Sequence, residues 1–158
     1  MRTYAPDLGP GLLVDFLNTL DVEEGTDALD DSAVFGDWAS EHGVDGGDPA
    51  EAKRVRDALR SIVDGEGGSL PSVQLVTACG DRTVGLTART AAEAAVAASV
   101  ILSIQGTFGR VKLCGADDCR WAFYDQSRNG SRTWCSMGVC GNRQKARTYR
   151  AKQSDDAG

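Results

Sequence analysis

Four of the five cysteines of this chain fall in two equally spaced pairs, Cys114-x4-Cys119 and Cys135-x4-Cys140. Thiols paired at so short a spacing let one local loop supply two sulfurs, and two such loops complete a tetrahedral ligand set. That constraint outweighs any other in the C-terminal third, because about forty residues cannot fold on their own apolar side chains alone. Gly115 and Gly138 fall inside the pairs, where the chain must turn. Val111 and Leu113 before the first pair, and Trp121 and Phe123 around it, alternate as strands do, which predicts a hairpin with a cysteine knuckle at its tip. The run Gly-Asn-Arg-Gln-Lys-Ala-Arg-Thr-Tyr-Arg after Cys140 reads as a helix of two to three turns. Strands, a turn and a terminal helix around one ion resemble a treble-clef arrangement. Zinc, Zn2+ held by Cys114, Cys119, Cys135 and Cys140, is the expected cofactor. Unligated thiols, two disulfides or a four-thiolate iron–sulfur cluster are the alternatives. Cys79 stands apart in an apolar stretch and is expected to be buried as a small hydrophobe.

Charge divides the chain. Its 158 residues carry a net −6, yet residues 110–152 hold ten Lys or Arg against three Asp or Glu, a local +7. Four thiolates on a divalent ion remove two of these, leaving about +5 on a metal-loaded module. The 109 residues before it hold 7 basic against 18 acidic side chains. An acidic domain over residues 1–108, a basic finger over 109–152 and a disordered tail over 153–158 follow from this asymmetry.

In the acidic part, residues 12–20 (LLVDFLNTL) fit either a strand or a short helix. Val34, Phe35, Trp38 and Ala39 recur at helical spacing before Gly43. Asp48-Pro49-Ala50-Glu51 opens a helix that would bury Ala52, Val55, Leu59, Ile62 and Val63, with Arg54, Asp57 and Arg60 outside. Ser69 is expected to cap a helix through Val73, Val76 and Cys79, stopped by Gly80. Residues 82–88 alternate as a strand, and Thr90-Ala91-Ala92-Glu93 is a capping box for an apolar central helix ending at Gly106. The fold class expected is therefore α+β: a mainly helical N-terminal domain followed by a small treble-clef-like zinc finger with four cysteine ligands.

The segment from Cys114 to Arg147, and above all Cys140-Gly141-Asn142-Arg143, closely resembles the CGNR zinc finger named for that run. The similarity spans about residues 110–152. In bacterial proteins of that family the finger follows an ABATE-type domain, to which Asp15-Phe-Leu-Asn18-Thr19 and the arginine-bearing helix 48–64 are more loosely similar. The resemblance implies a zinc-binding, stress-related transcription regulator.

Independently of that resemblance, Arg143, Arg147 and Arg150 lie at i, i+4 and i+7, on one face of a helix. With Arg128, Arg132 and Lys145 they form the expected nucleic-acid-binding set; the partner is DNA, RNA being the alternative. Competing readings are a finger that docks on protein, on the acidic domain or in a homodimer, and a thiol redox sensor. No enzyme is expected. The single histidine, His42, lies outside the finger, no Glu follows Glu93, and four thiolates leave no coordination position for substrate. Asp15 and Asn18 either line a small-ligand pocket with Arg54 or Arg56 or, as preferred here, cap a turn and pair with the helix 48–64. No export signal or membrane span is read, so a cytoplasmic protein without membrane contact is expected.

Overall fold

The structure, a computed structural model, describes residues 6–157. Among them are five helices of eight residues or more and three two-stranded antiparallel sheets, an α+β fold. Residues 12–20 resolve in favour of helix: α1 (Pro10–Leu17) starts with proline in its first turn and buries Leu12, Leu13, Phe16 and Leu17 on one stripe. Two-residue strands β1 (Leu20–Asp21) and β2 (Thr26–Asp27) follow as a small hairpin. In α2 (Ser32–Glu41) the Asp31 carboxylate accepts the Ala33 and Val34 amides at 2.9 and 3.2 Å. Phe35 and Ala39 turn inward, whereas Val34, expected on the apolar face, is exposed.

Asp48 caps α3 (Pro49–Val63) through the Ala50 amide. This helix buries Ala52, Val55 and Leu59 as expected, but it also buries Arg56 and Arg60. Arg60 therefore lies inside, not outside. The reason is that both guanidiniums meet fixed acceptors. Arg56 grips Asp27 at 2.6 and 2.9 Å, and Arg60 donates to the carbonyls of Leu17 and Arg120 at 2.9 and 2.8 Å.

Residues 69–80 do not form a helix. Val76–Cys79 is a strand, β3, paired antiparallel with β4 (Val84–Thr87) across a turn closed by the Gly80 amide on the Thr83 carbonyl. Cys79, expected in the core, is exposed at the end of β3. The capping box at Thr90 starts α4 (Ala91–Ile104): Thr90 Oγ1 accepts the Glu93 amide, and the Glu93 carboxylate accepts the Arg89 amide. Ten of its residues are buried, mostly alanines, so α1 and α3 pack closely against it. Gly106, with φ of +72°, lets the chain leave the helix.

β5 (Val111–Leu113) and β6 (Ala122–Tyr124) form the hairpin that alternation anticipates, with Leu113 opposite Ala122. Val111 and Ala122 belong to the same core cluster as α1, α3 and α4. The strands that lead into the cysteine knuckle are thus set into the large core. Asn18, just past α1, fastens them: its side-chain amide donates to the Ala122 carbonyl at 2.9 Å and accepts the Ala122 amide at 2.7 Å, as a neighbouring strand would. The last helix, α5 (Asn142–Asp156), is longer than two to three turns. It runs through most of the tail expected to be disordered, whose final residue, Gly158, lies outside the described residues.

Candidate metal centre

The first knuckle leaves β5 at Cys114, whose amide still donates to the Trp121 carbonyl at 2.8 Å and so extends the hairpin ladder. Between Cys114 and Cys119 the chain turns tightly, the Cys119 and Arg120 amides both donating to the Ala116 carbonyl at 3.0 Å. Arg120 takes a left-handed φ of +53°, unusual without glycine. Its guanidinium is anchored on the Cys114 carbonyl and on Asp64 beyond α3. In the second knuckle Ser136 Oγ accepts the Val139 amide at 3.3 Å, and a single wide turn, Met137–Gly141, delivers Cys140 and opens α5.

All four Sγ atoms lie within 4.8 Å of one another, with Cys119–Cys135 and Cys135–Cys140 both at 3.7 Å. Thiolates about 2.3 Å from a tetrahedrally coordinated zinc ion are about 3.8 Å apart, so the side chains present fit such an ion. Cys114, Cys119 and Cys140 are buried and Cys135 is half-buried. Burial pushes the Cys135 thiol up, as do the neighbouring thiols, and burial likewise pushes Cys140 up to about 11. Burial also opposes ionisation of Cys114, but hydrogen bonds from Cys135 and Ala116 outweigh it and lower that thiol. Ionising several thiols crowded this closely is favourable only with a cation among them.

Neither Gly115 nor Gly138 adopts a left-handed backbone, and a Cβ on Gly138 would meet nothing nearer than Ser136 Oγ at 3.9 Å; Gly115 and Gly141 act through size. A Cβ on Gly115 would lie 2.9 Å from Thr133 Cγ2 and 3.1 Å from Trp134 Cζ3. One on Gly141 would lie 3.2 Å from Trp134 Cδ1. The Trp134 indole is wedged between the two knuckles and packs on the buried cysteines.

The six residues expected to bind nucleic acid divide into two groups. Arg132 faces inward: it donates to the carbonyls of Trp134 and Cys135 at 3.3 and 2.7 Å, and its guanidinium lies 5.0 Å from the Phe123 ring centre. Arg143 pairs with Glu23 at 2.9 Å and reaches Asp118 at 3.7 Å, while Arg147 grips Asp118 at 2.6 Å. The wide turn aims that face of α5 back at the first knuckle, so acids of the chain's own occupy it. Arg128, Lys145 and Arg150, like Lys152, are exposed and form no ion pair among the described residues.

Beside the hairpin, Asp125 is fully buried and accepts from Lys112 Nζ at 2.8 Å and from the Ser127 and Arg132 amides at 2.9 Å. The Lys112 and Ser127 hydrogen bonds hold its carboxyl well below the usual carboxylate range. Lys112 also donates to the Gly130 and Arg132 carbonyls, and Arg110 to those of Asp125 and Ser127. Three charged residues thereby shape the 125–132 loop. Asp15 does not join Arg54 or Arg56; it meets His42 Nε2 at 3.0 Å, and the His42 ring stacks on Trp38. The roles of Asn18, Arg60 and Arg120 escape sequence reasoning, since each acts on backbone distant in sequence.

A helical α+β unit whose core takes in the strands of a four-thiol finger is the class of protein these features define. The chain belongs to the ABATE family, described as "Putative stress-induced transcription regulator", whose model matches residues 11–107. Residues 110–153 match the CGNR zinc finger. No curated relative matches the chain. Among the described residues, no helix is long and apolar enough to cross a membrane.

Proposed function

We propose that this chain is a nucleic-acid-binding regulator of transcription that contacts DNA through the basic face of a zinc-loaded finger. The carrying observation is the charge on α5: residues 142–152 hold five cations and no acid, and Lys145, Arg150 and Lys152 are exposed without an ion partner among the described residues. A polyanion is the natural complement of such a surface. Zinc is the ion proposed, because four thiolates at tetrahedral spacing suit it and fill its coordination sphere. It would supply local fold and no open position for substrate, which supports a binding protein rather than an enzyme. The family description and the finger match support the regulatory setting, and the N-terminal domain is proposed to sense a ligand or mediate dimerisation.

The test is equilibrium binding of metal-loaded protein to a short duplex DNA over a range of salt. Removing two phosphate contacts with Lys145→Ala and Arg150→Ala should reduce the magnitude of the log–log salt slope by about 1.8. An unchanged slope would take α5 out of the interface.

A further inference from the structure

The finger has a second feature that simple charge complementarity leaves unused. On α5, Lys145 sits about 200° around the helix axis from Arg143, and Tyr149 and Lys152 share its side while Arg147 and Arg150 share the other. The arginines best suited to reading guanine edges, Arg143 and Arg147, are held by Glu23 and Asp118. The lysine side instead borders a groove of about 390 Å³ with mainly apolar walls. Trp134 and Tyr149 flank it, with Gln144, Thr148, Lys145 and Lys152 around them. Tyr149 is 64% exposed, and its hydroxyl accepts a hydrogen bond from Gln153 at 2.9 Å. Trp134 is held from behind by the knuckle glycines and the cysteines. An aromatic surface backed by the packed four-cysteine knuckles, rimmed by two free ammonium groups, is what an unpaired base on a phosphate backbone requires.

We infer that the groove between Trp134 and Tyr149 binds an unpaired nucleobase, with Lys145 and Lys152 on the flanking phosphates. The finger then prefers nucleic acid with an opened or single-stranded segment to an intact duplex. This rests on the reading of the finger as a nucleic-acid binder and narrows it to a binding mode. Stacking also fits the side chains available: every base presents a π-face, whereas two of the three arginines of α5, Arg143 and Arg147, are already engaged by acids.

The test compares a fluorescent oligothymidylate with its duplex form, bound to the metal-loaded full chain and to variants of the exposed residues. Tyr149→Ala should weaken single-strand binding about 5- to 150-fold and leave its salt slope unchanged, while Tyr149→Phe stays within about twofold of the parent. Lys145→Ala with Lys152→Ala should lower the single-strand slope by about 1.4. Intact-duplex binding should change less than about twofold in Tyr149→Ala. Equal affinity of the parent for both forms, with Tyr149→Ala altering neither, overturns the base-binding groove while nucleic-acid binding stands. Failure of the parent to bind either oligonucleotide removes both. Metal content measured alongside shows that each variant retains its finger.

Discussion

At the level of single residues, buried charge does more to shape the finger than its apolar content. Asp125 is completely enclosed, and its partners Lys112 and Arg132 reach it from either side of the loop it organises. Because its folded pKa lies below the unfolded value of about 3.9, its stabilisation is complete at neutral pH and is lost as pH falls below about 4. Asp125→Asn leaves Lys112 without its counter-charge, so it should lower the melting temperature at pH 7 and flatten the acid limb of the stability curve. Thermal melts across pH 3–8 check both. The cysteines are the residues most legible from sequence, since ligand spacing is a local property. The arginines are the least. Helical spacing places Arg143, Arg147 and Arg150 together, but only the fold shows that Asp118 and Glu23, 29 and 120 residues from their partners, lie opposite.

At the level of elements, signals confined to a few neighbouring residues are read well. Asp48-Pro49 and Thr90-to-Glu93 start helices where their side chains can reach the first free amides. Residues 69–80 are misread because Val73, Val76 and Cys79 satisfy helical spacing, while the strand β3 depends on pairing with β4, and the alternation that marks β4 as a strand does not say what it pairs with. β-branched Val76 and Thr77 suit the paired strand better. The joint between α1 and β6 is equally hidden, since an asparagine side chain takes the place of a strand. Asn18→Ala leaves both backbone groups of Ala122 without a partner and should cost about 1–3 kcal/mol. That corresponds to about 2–4 °C in melting temperature per kcal/mol, readable by calorimetry.

At the level of the whole molecule, a charge boundary near residue 108 is real but is not a seam. Val111 and Ala122 sit in the main core, Asn18 holds the hairpin, and Arg60 and Asp64 hold Arg120. Metal loss should therefore be felt beyond the finger. The purified chain is expected to carry one zinc per molecule, and chelation or Cys135→Ser should lower the stability of α1 and α3 as well as that of residues 110–150. Hydrogen exchange read by mass spectrometry separates this from a finger that melts alone: unchanged protection in α1 and α3 would show two independent units. Beyond Arg147, whose pair with Asp118 is the last that α5 makes with the rest of the described residues, the helix stands outside this interdependence, for none of its residues is buried. The sequence from Thr148 onward is consequently free to drift at almost no cost to folding. Under the function proposed here, a different target can thus be met by rewriting those exposed turns, while the scaffold beneath them stays the same.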